Sequence, residues 1–207
     1  MNISRISGAC VILFFSIIFI SCSEGLRDQD GNVLKTIRIG DQLWMSENLN
    51  VSHFRNGEVI PEAKSNEEWI KMGMEKEPAW CFGYNNPDNK NKYGRLYNWY
   101  AVNDPRGIAP KGWHVSSDDE WTELIRFFGN EVFAAMQLRE KSMFFPPAGS
   151  RTYEGFFFGS GSHGFWWSSS ESSNEDAWNR TLNYVQCNIY NQTNPKISGF
   201  SVRCLRN

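Results

Sequence analysis

The sequence predicts an α+β domain, in which an N-terminal hairpin and two or three helices precede a loop-rich C-terminal half built of strands. Three observations support this class. The β-rich run Val33–Ile39 is followed by Gly40 and Asp41, which have the Gly-X form of a two-residue type II′ turn. Two Ser-x-x-Glu capping boxes occur, and the second precedes apolar residues at helical spacing. After the Pro146-Pro147 pair the chain is rich in glycine, aromatic residues and short β-like runs.

The first 22 residues have the features of a lipoprotein signal peptide. Arg5 supplies the positive charge, and residues 9–20 form an apolar run that is short for a membrane span, although a retained membrane anchor is the alternative. The segment FISC, from Phe19 to Cys22, resembles a bacterial lipobox with Phe in place of the usual Leu or Val. We therefore expect Cys22 to be acylated, residues 23–30 to form a polar tether, and the protein to be anchored at the surface of a bacterial outer membrane.

The elements of the N-terminal half follow from local signals. Gln42–Ser46 returns from the Gly-Asp turn as the second strand of the hairpin. Ser65 and Glu68 begin a short helix that ends near Met74. The segment Asn85–Arg95 is polar and predicts a long loop.

The most regular predicted helix begins at Ser117, with Glu120 completing its capping box. Its apolar residues recur at i, i+3, i+4 and i+7, and they are Trp121, Leu124, Ile125 and Phe128. Gly129 ends this helix, Asn130–Lys141 predicts another, and GFSVRCLRN predicts a closing strand.

Composition limits the classes of function. The chain has 207 residues, 41% of them hydrophobic and 15% aromatic, which is enough for one domain whose core needs no metal. The formal net charge of −2 argues against a nucleic-acid binder. No CxxC or HxxxH spacing occurs, so no metal and no cofactor are expected. We also expect the protein to be a monomer.

Five cysteines are present, of which Cys10 lies in the signal peptide and Cys22 at the lipid site. Export permits disulfides among the remaining three. A Cys187–Cys204 bridge with Cys81 free is favoured, and a Cys81–Cys204 bridge is the alternative.

Three motifs that resemble chemical sites are better explained structurally. The GxGxxG match at Gly159–Gly164 precedes FWWSSS, which does not begin a helix. His114 lies near Asp118 and Asp119, but acids in a first helical turn already complement the helix dipole. The asparagine-rich loop Asn85–Asn91 lacks the spacing of a calcium loop. No catalytic residue is therefore predicted.

Six motifs in order carry a family resemblance: IGDQLWMSENLN, KYGRLYNWYAVND, APKGWHVSSDDEWTEL, FPPAGSR, FWWSSSE and GFSVRCLRN. Across residues 31–207 the chain resembles the Fibrobacter succinogenes major paralogous domain family, which consists of exported proteins and lipoproteins mostly without known function. It departs from the family pattern at Ser116, where Pro is usual, and at Ala109, where Cys often stands. A weaker similarity to formylglycine-generating enzymes and C-type lectins implies a compact C-type-lectin-like domain. The close cysteine pair of those enzymes and the calcium-site motifs of those lectins do not occur here.

The segment 167–191 predicts a ligand-binding surface. It combines aromatic rings with Ser, Asn, Tyr and Thr, a composition that resembles antibody paratopes. Adjacent strand residues face opposite ways, so one of Trp166 and Trp167 is expected to be buried and Trp167 is placed in the surface. The predicted surface residues are Trp167, Asn174, Trp178, Asn179, Asn183, Tyr184, Asn188, Tyr190 and Asn191.

We therefore expect a non-catalytic protein that recognises a glycan or a surface protein. Ordinary surface strands and loops with some aromatic core are the alternative interpretation of the segment. The alternative function is a structural or assembly role in an envelope or fimbrial complex.

Overall fold

The computed structural model describes residues 20–21, 25–140 and 145–207, and it confirms the α+β class. Cys10 and the predicted lipid site Cys22 lie outside the described residues.

Helices and strands alternate irregularly along the described chain, with two short 3₁₀ turns at Gly83–Asn85 and Pro87–Asn89. In chain order the elements are β1 (Ile20–Ser21), β2 (Thr36–Ile39), β3 (Gln42–Met45), α1 (Asn66–Met74), β4 (Trp80–Phe82), α2 (Lys90–Tyr93), β5 (Arg95–Tyr97), α3 (Trp99–Val102), β6 (Trp113–Val115), α4 (Asp118–Phe127), α5 (Glu131–Glu140), β7 (Ser150–Arg151), β8 (Phe157–Phe158), β9 (His163–Glu171), β10 (Asp176–Asn183), β11 (Asn188–Pro195) and β12 (Cys204–Arg206).

The predicted N-terminal hairpin is confirmed, and it forms part of a central sheet with strand order β1-β2-β3-β12-β6. Ile39 pairs with Gln42 across the turn, and Gly40 has a φ of +59°, as the first position of a type II′ turn requires. Strand β12, the last in the chain, lies between β3 and β6, where Leu205 pairs with both Trp44 and His114.

Both predicted capping boxes are present. The Ser65 hydroxyl accepts from the Glu68 N–H at the start of α1, and the Ser117 hydroxyl accepts from the Glu120 N–H at the start of α4. Each box satisfies N–H groups that a helix start would otherwise leave without partners. Trp121 on α4 is fully buried, as its helical spacing predicted.

The C-terminal half is more regular than the sequence predicted. Strands β9, β10 and β11 have nine, eight and eight residues and form an antiparallel sheet in which β10 is central. Trp167 belongs to one hydrophobic core, here called the first core, and Trp166 to another, called the second core, because the two residues face opposite sides of β9 and both sides are covered.

The packed domain begins earlier in the chain than predicted, because residues of the predicted tether contact the core or are buried. Leu26 packs against the first core, and Asp28 is buried with its carboxylate accepting from the backbone N–H groups of Asp30 and Asn32. The boundary of a tether at residue 30 is therefore wrong, since part of residues 23–30 belongs to the domain. Strand β1 pairs with β2 although the predicted signal peptide includes it. None of the helices among the described residues is long and apolar enough to cross a bilayer.

Candidate functional site

The two faces of the β10–β11 hairpin have different surroundings. Asn179 pairs with Gln192 and Thr181 with Tyr190, and these side chains share one face. The intervening pairs share the other face, where Leu182 and Ile189 are buried in the core beneath α4 and α5. Further along β11, Asn191 and Thr193 on this same face are exposed. The first face ends in exposed Tyr190 and Gln192 on β11, so solvent reaches it there.

Hydrogen bonds fix the polar side chains of this first face. Asn194 Nδ2 donates to Asn179 Oδ1 at 2.7 Å, and Asn179 Nδ2 donates to Thr181 Oγ1 at 3.1 Å. Thr181 Oγ1 in turn donates to Gln192 Oε1 at 3.1 Å, while Asn188 Nδ2 donates to the Tyr190 hydroxyl at 3.2 Å. Because these groups hold one another, a ligand would meet them already ordered. We call Asn183, Asn188, Tyr190, Gln192 and Asn194 the amide face.

Aromatic rings border the amide face along β9. His163 pairs with Asn183 and Phe165 with Thr181, so both rings point to the same side as the amide face. The His163 and Phe165 rings are stacked with centroids 6.0 Å apart, and the Phe158 ring lies 5.2 Å from that of His163. Phe158 is 54% exposed, which gives this margin an accessible aromatic surface.

Three of the predicted surface residues are buried, and their expected exposure was wrong. Trp167 is fully buried, packs against Phe200 with ring centroids 4.3 Å apart and donates from Nε1 to the Tyr97 carbonyl. Asn179 is fully buried because it lies on the central strand, and Tyr184 is buried with its hydroxyl bonded to the Phe145 carbonyl.

The other predicted residues separate into three places. Asn183, Asn188 and Tyr190 lie on the amide face. Trp178 is half-buried on the opposite face, where the side chain of Asn191 donates to Asp118 at 3.3 Å. Asn174 is exposed in the β9–β10 turn, and its carbonyl accepts from Lys196 Nζ at 2.8 Å. The structure thus gathers only part of the predicted set into one surface.

Five residues of this surface were missed: Gln192 and Asn194 on β11, and Phe158, His163 and Phe165 at its aromatic margin. For the first two a signal existed, because the alternate positions of NIYNQTNP place Asn, Tyr, Gln and Asn on one strand face. The aromatic margin depends on how β8 and β9 meet, and no local signal reveals that.

A partly buried ion pair joins the hairpin to α4. The guanidinium of Arg180, 1% exposed, binds the carboxylate of Asp118 and donates from Nη2 to the Thr122 hydroxyl at 2.8 Å. Asp118 compensates the Arg180 charge, which burial would otherwise penalise. It holds β10, and with it the amide face, against the helix.

The predicted Cys187–Cys204 disulfide is not formed, since Cys81, Cys187 and Cys204 are all free thiols. Cys204 lies in the first core on β12, while Cys187 lies in the β10–β11 turn and packs against the second core. Cys81 belongs to a third core, so the alternative Cys81–Cys204 bridge is not formed either. Burial raises the pKa of the Cys81 thiol to about 11 and that of Cys204 to about 12.

A Ser–His–Asp cluster occurs away from the amide face. His53 Nδ1 and the Ser52 hydroxyl both bond to Asp30, at 2.8 Å each. Burial would raise the pKa of Asp30, but bonds from the Ser52 N–H, the Ser52 hydroxyl and His53 outweigh it and hold the pKa below its usual value. The Ser52 hydroxyl also lies 3.3 Å from His53 Nδ1, but this nitrogen carries the proton that it donates to the Asp30 carboxylate and so cannot accept the proton of Ser52. Among the described residues no group of three His, Cys, Asp or Glu side chains could hold a metal ion.

Comparison with known proteins identifies the family. Searches of curated proteins and of solved structures found no match, so the C-type-lectin-like analogy stays a prediction. The family model of the Fibrobacter succinogenes major domain matches residues 37–206, from strand β2 through strand β12. The chain therefore belongs to the Fibrobacter succinogenes major domain family.

Proposed function

We propose that the protein is a lipid-anchored, non-catalytic recognition protein of the bacterial outer-membrane surface, and that the amide face binds its ligand. The observation that carries this proposal is the row of hydrogen-bonded amide and hydroxyl groups that ends in exposed Tyr190 and Gln192. Amides offer donors and acceptors together, and the neighbouring aromatic ring of Phe158 adds apolar contact area.

A glycan is the ligand class that this composition favours. Sugars present hydroxyl groups, which pair with amides, and apolar ring faces, which stack on aromatic side chains. A protein ligand would use the same groups, so the screen must include both classes.

The binding proposal is tested on an array of glycans and bacterial surface proteins. The triple variant Asn183→Ala, Asn188→Ala, Gln192→Ala removes three amides from the face. We expect its affinity for the array hit to fall at least about tenfold, which corresponds to about 1.4 kcal/mol. The control is Thr193→Ala, which changes β11 on the opposite face without removing a bond to Asp118 and should keep the affinity. Equal affinities of the two variants, with unchanged melting curves, would place the site elsewhere.

Lipid anchoring is tested separately at Cys22. Replacing Cys22 by Ala should leave an unprocessed precursor that a fatty-acid probe does not label in cells. Labelling of the Cys22→Ala protein at the wild-type level would refute the anchor without bearing on the amide face.

The second candidate function is a structural or assembly role in an envelope complex. It is favoured by the open edge of β11, because an unpaired strand is a surface for adding another chain. No binding to any glycan or protein on the array, together with envelope proteins that copurify in stoichiometric amounts, would support this assembly role over recognition.

A further inference from the structure

Strand β11 forms one edge of its sheet, and its backbone groups can be assigned a direction. The Lys196 N–H donates to the Glu175 carbonyl at 2.9 Å, which continues the β10–β11 ladder by one pair. In an antiparallel ladder the residues that exchange hydrogen bonds alternate. The N–H and C=O groups of Ile189, Asn191 and Thr193 therefore point outward, away from β10.

This edge lacks the usual protection. Among the described residues, no hydrogen bond reaches the outward N–H and C=O groups of β11. Four successive residues, from Tyr190 to Thr193, are exposed, and the strand carries no charged residue and no proline before Pro195. Natural sheets commonly blunt such edges with lysine, proline or bulges. The strand is therefore available for pairing with another strand.

An apolar patch lies beside the same edge. On α5, Val132 is 59% exposed, Phe133 57% and Met136 43%. A groove of about 640 Å³ lies between α4, the start of α5 and the β10–β11 hairpin, and Val132, Phe133, Ile189 and Asn191 all contribute to its walls. The open backbone and the exposed apolar side chains thus adjoin in one continuous surface.

We propose that β11 pairs with β11 of a second copy of this chain, antiparallel and about a two-fold axis at Asn191. Asn191 is the middle of the three outward residues, so this register places Ile189 opposite Thr193 and forms about six backbone hydrogen bonds. The two three-stranded sheets become one sheet of six strands. This dimer differs from the monomer that the sequence predicts, and its formation does not depend on the proposed ligand.

A second copy fits both halves of the surface because each half is complementary to itself. An open strand edge accepts another strand, and an apolar patch packs on another apolar patch, as a two-fold interface requires. An axis normal to the sheet puts both α5 helices on one side, where Val132 and Phe133 of each copy can cover those of the other. No charge on β11 opposes its own image across the axis. Both amide faces lie on the other side and stay accessible.

The test is disulfide trapping of the full-length chain in bacterial cells. All variants carry Cys187→Ser, which removes the partly exposed thiol of the hairpin. Asn191→Cys places a thiol on the axis, where two hydrogen-bonded partners would have Cα atoms about 5.5 Å apart, within the range that a disulfide spans. The matched control is Val185→Cys, in the turn of the same hairpin and 73% exposed. We expect an oxidised dimer from Asn191→Cys at least about fivefold above the control, as an interface of about 1 kcal/mol or more requires.

Adding Phe133→Asp to the Asn191→Cys chain tests the helix half of the interface. It puts a charge into the apolar patch on a residue that is already exposed, so the fold is kept and the dimer yield should fall to the control level. Equal yields from Asn191→Cys and Val185→Cys would overturn the proposal. So would a yield that Phe133→Asp leaves unchanged while the melting curve is also unchanged.

Discussion

Arg180 on β10 and Asp118 in the first turn of α4 form an ion pair in which the guanidinium is almost wholly buried. The same carboxylate accepts from the side chain of Asn191 on β11. One helix residue therefore holds two strands of the hairpin, and the orientation of the amide face depends on it.

Removing this carboxylate should destabilise the protein strongly. Asp118→Ala leaves the buried Arg180 charge without its partner, so we expect a loss of about 3–5 kcal/mol in the free energy of unfolding. Asp119→Ala, its exposed neighbour in the same helical turn, is the control and should cost less than about 1 kcal/mol. Urea unfolding measures both, and similar losses would show that the helix terminus matters rather than the ion pair.

The three described cysteines should differ in reactivity. Burial raises the pKa of Cys81 to about 11 and of Cys204 to about 12, so both stay thiols at pH 8, whereas Cys187 is partly exposed in its turn. Iodoacetamide should label Cys187 at least about tenfold faster than the other two in the folded chain. Peptide mass spectrometry measures the rates. At early times we expect the alkylated mass on the Cys187 peptide alone. A peptide in which Cys187 and Cys204 are joined by a disulfide would contradict the structure.

Stability should depend on Asp30 at acid pH. Its pKa in the folded protein lies below its usual value, so folding favours the ionised carboxylate. The contribution is present above the unfolded pKa of about 3.9 and is lost as pH falls through the folded pKa. Asp30→Asn should flatten the pH dependence of unfolding below about pH 4, and Ser52→Ala, which removes one donor, should give an intermediate curve. Denaturant titrations from neutral to acid pH measure this, and curves parallel to wild type would refute it.

Arg203 is a buried charge with few partners. Its Nη1 donates to the Met45 carbonyl at 2.6 Å, but Nε and Nη2 have no hydrogen-bond partner among the described residues. Burial lowers its pKa to about 9. Arg203→Met should therefore raise the free energy of unfolding by about 1 kcal/mol. Arg151→Met is the control, because Arg151 donates to three carbonyls and to Asn66, and it should destabilise. Destabilisation by both variants would show that Arg203 contributes net stability.

Local signals predicted the local elements well. The Gly40-Asp41 turn and both capping boxes depend on neighbours within a few residues, and all three are present. The burial of Trp167 and Asn179 was not predictable in this way. It depends on Phe200 and Tyr97 packing over β9, and on β10 being the central strand, which are contacts between distant parts of the chain.

The candidate surface was found in the right hairpin but with only some of its residues. Asn183, Asn188 and Tyr190 were predicted because their composition resembles a paratope. Gln192 and Asn194 were missed because the period-two pattern of β11 was not followed beyond Asn191. Once the register is known, the period-two pattern shows which residues of β11 share a face with Tyr190.

The central position of β12 has a consequence for the rate at which the domain can fold. Cys204–Arg206 joins β3 to β6, so the central sheet closes only when segments that are far apart along the chain meet. The entropy cost of closing such a long loop comes before its hydrogen bonds form, and domains rich in distant pairings fold more slowly than those held by local contacts. The helices α1 and α4 can form from neighbouring residues alone, whereas the sheet between them and the core has to wait for this long-range encounter.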